Sequence, residues 1–207
     1  MKVLFVDFSH LRNIPEPFKS ELTATTMKTI RSKYEGTSVF ITDSQEAAKI
    51  ANSDGAMNTI RIHNMPELDN NDPALGNAIP EINTAEVNLE DFINQGFGTT
   101  PEILGEQIGT VASHEGFHLL GPSGHSVLVD NLMSDGELTS DSLVETGGAN
   151  LEFTDLQKAI LNGDLDETTL LKLSEIEEVY SEWLEDIVSS INIDIDDLFV
   201  EFLDSIL

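Results

Sequence analysis

Apolar residues crowd the stretch Lys2 to Phe8, KVLFVDF, in a run too short for a helix and rich in β-branched and aromatic side chains, which predicts a buried first strand. Pro15 and Pro17 introduce a helix running to about Lys33, and Gly36 stops it. Thr37 to Thr42 reads as a second strand, Gln45 to Ala51 as a short helix and Met57 to His63 as a third strand. A polar loop over Glu67 to Asn77 then precedes two short strands, Ala78 to Ile82 and Ala85 to Leu89. Pro80 suits an edge strand because it cannot donate to an interior ladder. Thr100 and Pro101 form the cap and first residue of a longer helix that reaches about Leu120, with Glu102 favourable in its first turn. Its apolar positions Ile103, Leu104, Ile108, Val111, Ala112 and Leu119 cover a broad face, as expected of a helix buried under the sheet. Gly105 and Gly109 each cost about 1 kcal/mol against alanine inside a helix, so close packing against a strand is the expected compensation. Thr154 caps a helix over Asp155 to Leu161 that Asn162 and Gly163 end. Two further amphipathic stretches, Thr169 to Ile187 and Ile195 to Ile206, carry acidic outer faces.

The chemistry concentrates in Ser113 to Met133, SHEGFHLLGPSGHSVLVDNLM, which holds three of the five histidines. His114 and His118 are four apart, so on a helix of about 100° per residue their rings share one face and converge on one point. Zinc takes about four ligands in a tetrahedron and, where it is catalytic, keeps one position for water. A third protein ligand is therefore needed, and His125 is the obvious supplier. Glu115, rotated about 100° from His114, flanks the metal without ligating it and is placed to accept a proton from an attacking water. Gly121 lies where a helix commonly ends on a left-handed residue, letting the chain turn and bring His125 back. His10 and His63 read as ordinary structural or surface histidines.

This stretch resembles the metzincin zinc endopeptidases, whose pattern is H-E-x-x-H-x-x-G-x-x-H followed by a tight turn carrying a methionine. His114, Glu115, His118 and Gly121 match position by position, and Asn131, Leu132 and Met133 resemble the methionine turn. One departure is plain: the family's third histidine position is Gly124 here, and His125 comes one residue late. A bulge in the Pro122, Ser123, Gly124 loop would let His125 reach. The resemblance implies an α+β fold with a twisted, mostly parallel sheet and an antiparallel edge strand over the active-site helix, to which this chain adds C-terminal helices. It implies a metzincin-like protease domain over 1–162 and Met133 packing under a Zn²⁺ site as a support, whereas the acidic amphipathic helical extension over 163–207, read from its apolar spacing, departs from the family's minimal domain. It also implies an edge strand that pairs with an extended peptide or protein substrate, placed at Gly76, Asn77, Ala78 and Ile79.

Charge narrows the partners. The formal net charge is −28, with only 10 Lys and Arg, which argues against nucleic acid and anionic membranes as binding partners. The first 120 residues hold 8 Lys and Arg against 17 Asp and Glu; the last 87 hold 2 against 21. Asp69, Asn70, Asn71 and Asp72 cluster oxygens of the kind Ca²⁺ accepts, although an Asx-rich turn accounts for them as well. The absence of cysteine excludes both a disulfide framework and latency through a pro-segment thiolate. No stretch is long and apolar enough to span a membrane, and MKVLFVDF reads as a strand, not a signal peptide. A monomer is expected, exported without an N-terminal leader or else cytoplasmic.

Two other readings stay open. A downstream glutamate such as Glu137 or Glu145 could replace His125 as the third ligand, in the manner of the gluzincins, in which case His125→Ala leaves bound zinc unchanged. Alternatively the chain is an inactive metal-binding or protein-interaction module, if the late His125 never reaches the metal.

Overall fold

The structure, a computed structural model, describes residues 2–52, 57–64, 75–121, 132–133, 148 and 150–164. The elements run β1 (Val3–His10), α1 (Glu16–Lys33), β2 (Phe40–Thr42), α2 (Gln45–Ala51), β3 (Asn58–His63), β4 (Gly76–Ile79), β5 (Thr84–Asn88), α3 (Leu89–Asn94), α4 (Pro101–Leu120) and α5 (Asp155–Asn162). The five strands form one mixed sheet in the order β2-β1-β3-β5-β4, all pairs parallel except β4 with β5. The antiparallel strand is thus at the edge, as expected.

Alternation along the strands decides what each face of the sheet covers. Leu4, Val6, Ile60, Ile62, Ala85 and Val87 point to one face and join the main core, which also takes Leu22 and Ile30 of α1 and Leu104, Ile108 and Ala112 of α4. Val3 and Phe5 point the other way, against Ala48 of α2. The neighbours in register on that second face, Asp7, Arg61 and Glu86, are charged, and Arg61 Nη1 donates to Glu86 Oε1 at 2.8 Å. His10 and His63 sit at the same ends of β1 and β3, His10 beside Asp7 (3.7 Å) and His63 buried beside Glu86 (4.0 Å).

The helix α4 has the boundaries its cap and proline signals predict, and Thr100 Oγ1 accepts the Ile103 N–H at 3.4 Å. Its glycines correct one expectation. Gly105 and Gly109 face α1, not a strand: a Cβ at Gly105 would lie 2.7 Å from Thr25 Cβ, and one at Gly109 would lie 2.6 Å from Thr29 Cβ and 3.0 Å from Thr26 O. Glycines four apart let two helices approach to backbone contact, which recovers their low helix propensity as packing. It is Gly116 that meets the sheet, with Leu4 Cδ2 2.9 Å and Ile60 Cδ1 3.1 Å from where its Cβ would be.

Strand boundaries also shift: β1 runs on to His10, β3 starts one residue late at Asn58, and the other three strands move for local reasons. β2 begins at Phe40 because the residues before it are engaged elsewhere: Thr37 N–H donates to Tyr34 O and Ser38 N–H to Asn162 Oδ1. β4 starts at Gly76 and stops at Ile79, since Pro80 opens a 3-10 turn closed by Asn83 N–H to Pro80 O. Leu89 leaves the strand because Asn88 caps the short helix α3, its Oδ1 accepting Glu90 N–H. α5 carries a full capping box between Thr154 and Gln157 and ends on Gly163 in the left-handed region. The Lys2 ammonium donates to Leu120 O and Ile160 O, drawing the carbonyl ends of α4 and α5 to the start of β1. No helix among the described residues is long and apolar enough to cross a membrane. The Asp69 to Asp72 cluster and the two C-terminal amphipathic stretches lie outside the described residues.

Candidate metal centre and active site

His114 and His118 emerge from the last two turns of α4 with their rings 4.8 Å apart and steeply inclined, so that the two Nε2 atoms face each other at 3.1 Å. Two nitrogens on one tetrahedral zinc, each about 2.0–2.1 Å from it, stand about 3.3 Å apart. The pair is within a few tenths of an ångström of that spacing before any adjustment of the rings. His114 Nδ1 lies 2.7 Å from Leu132 O. A carbonyl only accepts, so Nδ1 carries the proton and the lone pair is left on Nε2, the atom turned toward His118. This is the tautomer a metal requires, and carbonyl-fixed imidazoles are how metal sites commonly secure it.

Leu132 is itself held: its N–H donates to Glu152 O at 3.0 Å, and both Leu132 and Met133 are fully buried. Leu132 is therefore next to His114 through a backbone atom that the sequence motif does not advertise. His118 is 8% exposed, and Ser113 of the same helix is satisfied within it, its Oγ donating back to Gly109 O at 2.7 Å.

Glu115 is the electrostatic anomaly of the site. Burial pushes its carboxyl up to about 7, from the ordinary 4.5. What covers it is the edge strand: a Cβ on Gly76 would fall 2.8 Å from Glu115 Oε1, Glu115 Cγ and Val111 Cγ1. Glycine at the start of β4 is what permits the carboxylate to lie against the strand's backbone. Below the helix, the buried Tyr34 hydroxyl donates to Ser113 O at 2.9 Å, and its own ionisation is pushed well up by burial and by the Glu115 charge.

Gly121 corrects a second expectation. Its backbone is extended (φ −136°, ψ −158°), not left-handed, and its N–H donates to Phe117 O at 2.7 Å. The helix thus closes with an ordinary last-turn bond. A Cβ at Gly121 would sit 3.3 Å from Phe117 and 3.4 Å from Ile160 Cγ2, so the tightness of the exit favours glycine more than its dihedrals do.

His114, Glu115 and His118 are accordingly brought together, with Gly76 against Glu115 and Asn77, Ala78 and Ile79 following it along the edge strand. His125, Asn131, Glu137 and Glu145 lie outside the described residues. Among the described residues no cluster of three metal-capable side chains occurs, but the two histidines fit zinc in spacing and donor type, and His114 fits it also in tautomer. Sequence reasoning missed Tyr34, Lys33 and the Leu132 carbonyl, since a contact across 18 to 119 residues has no local signal.

No family model matches the sequence, and no curated protein does. Among solved structures the chain is similar to a zinc-dependent peptidase from Methanocorpusculum labreanum, with 14% identity and a TM-score of 0.50 over 78% of this chain and 100% of that one. A likeness at that identity concerns the fold: a mixed α/β arrangement with a mostly parallel five-stranded sheet, an antiparallel edge strand and flanking helices, consistent with a zinc-peptidase-like fold.

Proposed function

We propose that the chain is a zinc-dependent endopeptidase of the metzincin type. The observation that carries this reading is the 3.1 Å approach of His114 Nε2 to His118 Nε2, with the His114 tautomer set by Leu132 O. His114 and His118 supply two ligands, and His125 the third. Zinc, when bound, lowers the pKa of water and polarises a carbonyl. Glu115, held against the edge strand, takes the proton of the attacking water and passes it to the leaving amine. The edge strand at Gly76 to Ile79 offers its outer backbone groups to an extended peptide, so that main-chain hydrogen bonds orient the substrate across Glu115. Met133 packs beneath the histidines as support.

The test is Glu115→Gln assayed on casein and on a peptide library, with bound zinc measured in parallel. The expected result is a loss of about 10²–10⁴-fold in cleavage, the usual contribution of a general base, with zinc retained. Equal cleavage by the variant refutes the base assignment. Zinc occupancy without any turnover in the native sequence points instead to an inactive metal-binding module.

A further inference from the structure

Lysine is almost never fully buried unless it is paired, yet Lys33 is 4% exposed in a chain that has only 10 Lys and Arg. It sits at the end of α1 with its ammonium turned inward. Nζ donates to Gly148 O at 3.0 Å and to Glu152 Oε1 at 3.1 Å. One acceptor residue packs against α4 and the other is bonded to Leu132. Gly148 adopts φ +76°, and a Cβ there would fall 2.6 Å from Thr110 Cγ2, one helical turn before His114. Glu152 O receives the Leu132 N–H at 3.0 Å, and Leu132 O receives the His114 Nδ1–H at 2.7 Å.

We propose that Lys33 is a positioning residue for His114, holding through Glu152 and Leu132 the carbonyl that fixes the ring's orientation and tautomer. The ammonium ties one residue, Glu152, by its carboxylate while the same residue's backbone carbonyl anchors Leu132. A shift of that backbone moves Leu132 O away from Nδ1 and lets the imidazole take either tautomer. Partners of this kind are worth about 10–100-fold in metal affinity. The inference rests on the zinc reading for its consequence, but its first half, the state of the His114 ring, is observable without metal.

The experiment uses the full chain, metal-free, as the native sequence, Lys33→Met, Lys33→Arg and Glu152→Ala. Two quantities are measured: the Zn²⁺ dissociation constant by competition with a chromophoric chelator, and the NMR signal and solvent exchange of the His114 ring N–H. The native protein should show a slowly exchanging Nδ1 proton. Lys33→Met should lose it and weaken zinc about 10–100-fold, Lys33→Arg should recover most of both, and Glu152→Ala should shift both in the same direction as Lys33→Met. A Lys33→Met protein that melts earlier but keeps its ring signal and its zinc affinity would show that the lysine serves stability alone. Should Lys33→Met not fold, an unaltered ring signal and affinity in Glu152→Ala, whose side chain is half exposed, overturns the proposal equally. If the native protein binds no zinc, the peptidase reading fails, while the ring signal still decides the role of Lys33.

Discussion

The two halves of α4 obey different rules. From Pro101 to Ala112 the helix buries Leu104, Ile108 and Ala112, presses Gly105 and Gly109 onto α1, and serves its two buried polar residues from nearby backbone, Thr110 Oγ1 donating to Glu106 O and Gln107 Oε1 accepting the Gly98 N–H. From Ser113 to Leu120 the same helix buries Glu115 and His118 and is met from outside itself, by the Tyr34 hydroxyl on the Ser113 carbonyl, by Leu132 O on His114 and by Gly76 against Glu115. The first half stabilises; the second spends stability on holding polar groups at fixed distances. Sites of function are where local burial rules are broken and supported from elsewhere.

The contrast is broken most severely at Glu115. Its glutamine variant keeps the shape of the site and should lose about 10²–10⁴-fold in peptide cleavage, read as kcat/KM, with little change in fold. The same substitution sharpens the contrast when metal is absent. Glu115 titrates near 7 in the fold against an ordinary 4.5, so folding favours the protonated acid. Stability is then full below about pH 4.5 and falls as the pH rises through 7, by up to about 3 kcal/mol at about 1.36 kcal/mol per unit. Chemical denaturation of the metal-free protein at pH 4.5 and pH 8 should reveal that loss, and Glu115→Gln should remove its share of it. An identical pH dependence in both proteins would mean the carboxyl is not desolvated.

On the structural half, Gly109→Ala sets a methyl 2.6 Å from Thr29 Cβ and 3.0 Å from a backbone oxygen of α1. Overpacking of this kind costs about 1–3 kcal/mol, set against the helix propensity that alanine adds. Denaturant melts should show a net loss, and the zinc affinity of the folded fraction should be unchanged. Gly76→Ala tests the junction of the two halves, because the new methyl would displace Glu115 Oε1. Cleavage should fall about tenfold or more with zinc retained, a 1 Å misplacement being worth up to about 10²-fold. The smallest effect is expected away from the helix: Arg61→Met breaks an exposed pair with Glu86, should cost about 0–1 kcal/mol in denaturant melts, and should leave cleavage unaltered.

Legibility in the sequence followed the same division. The span of α4, its cap at Thr100, the shared face of His114 and His118 and the capped helix at Thr154 were readable because each depends on residues within one or two turns. The mostly parallel sheet and its antiparallel edge strand followed from the family resemblance, not from any single residue. The short helix α3 escaped notice since six residues give too little periodicity, although Asn88 followed by Glu90 and Asp91 was a usable cap signal. The partner of Gly105 and Gly109 was misassigned because a glycine pair announces close approach without saying to what. Lys33 was unreadable: its acceptors are 115 and 119 residues away, and nothing in its neighbourhood marks a lysine for burial.

The central claim is that the two Nε2 atoms of α4 face each other around a metal and not merely across a proton. Diffraction from zinc-loaded crystals at the zinc absorption edge tests it directly. The account predicts one anomalous peak per chain, about 2.0–2.1 Å from Nε2 of both His114 and His118. A peak bound elsewhere, or none while the two rings stay in mutual contact, would contradict it.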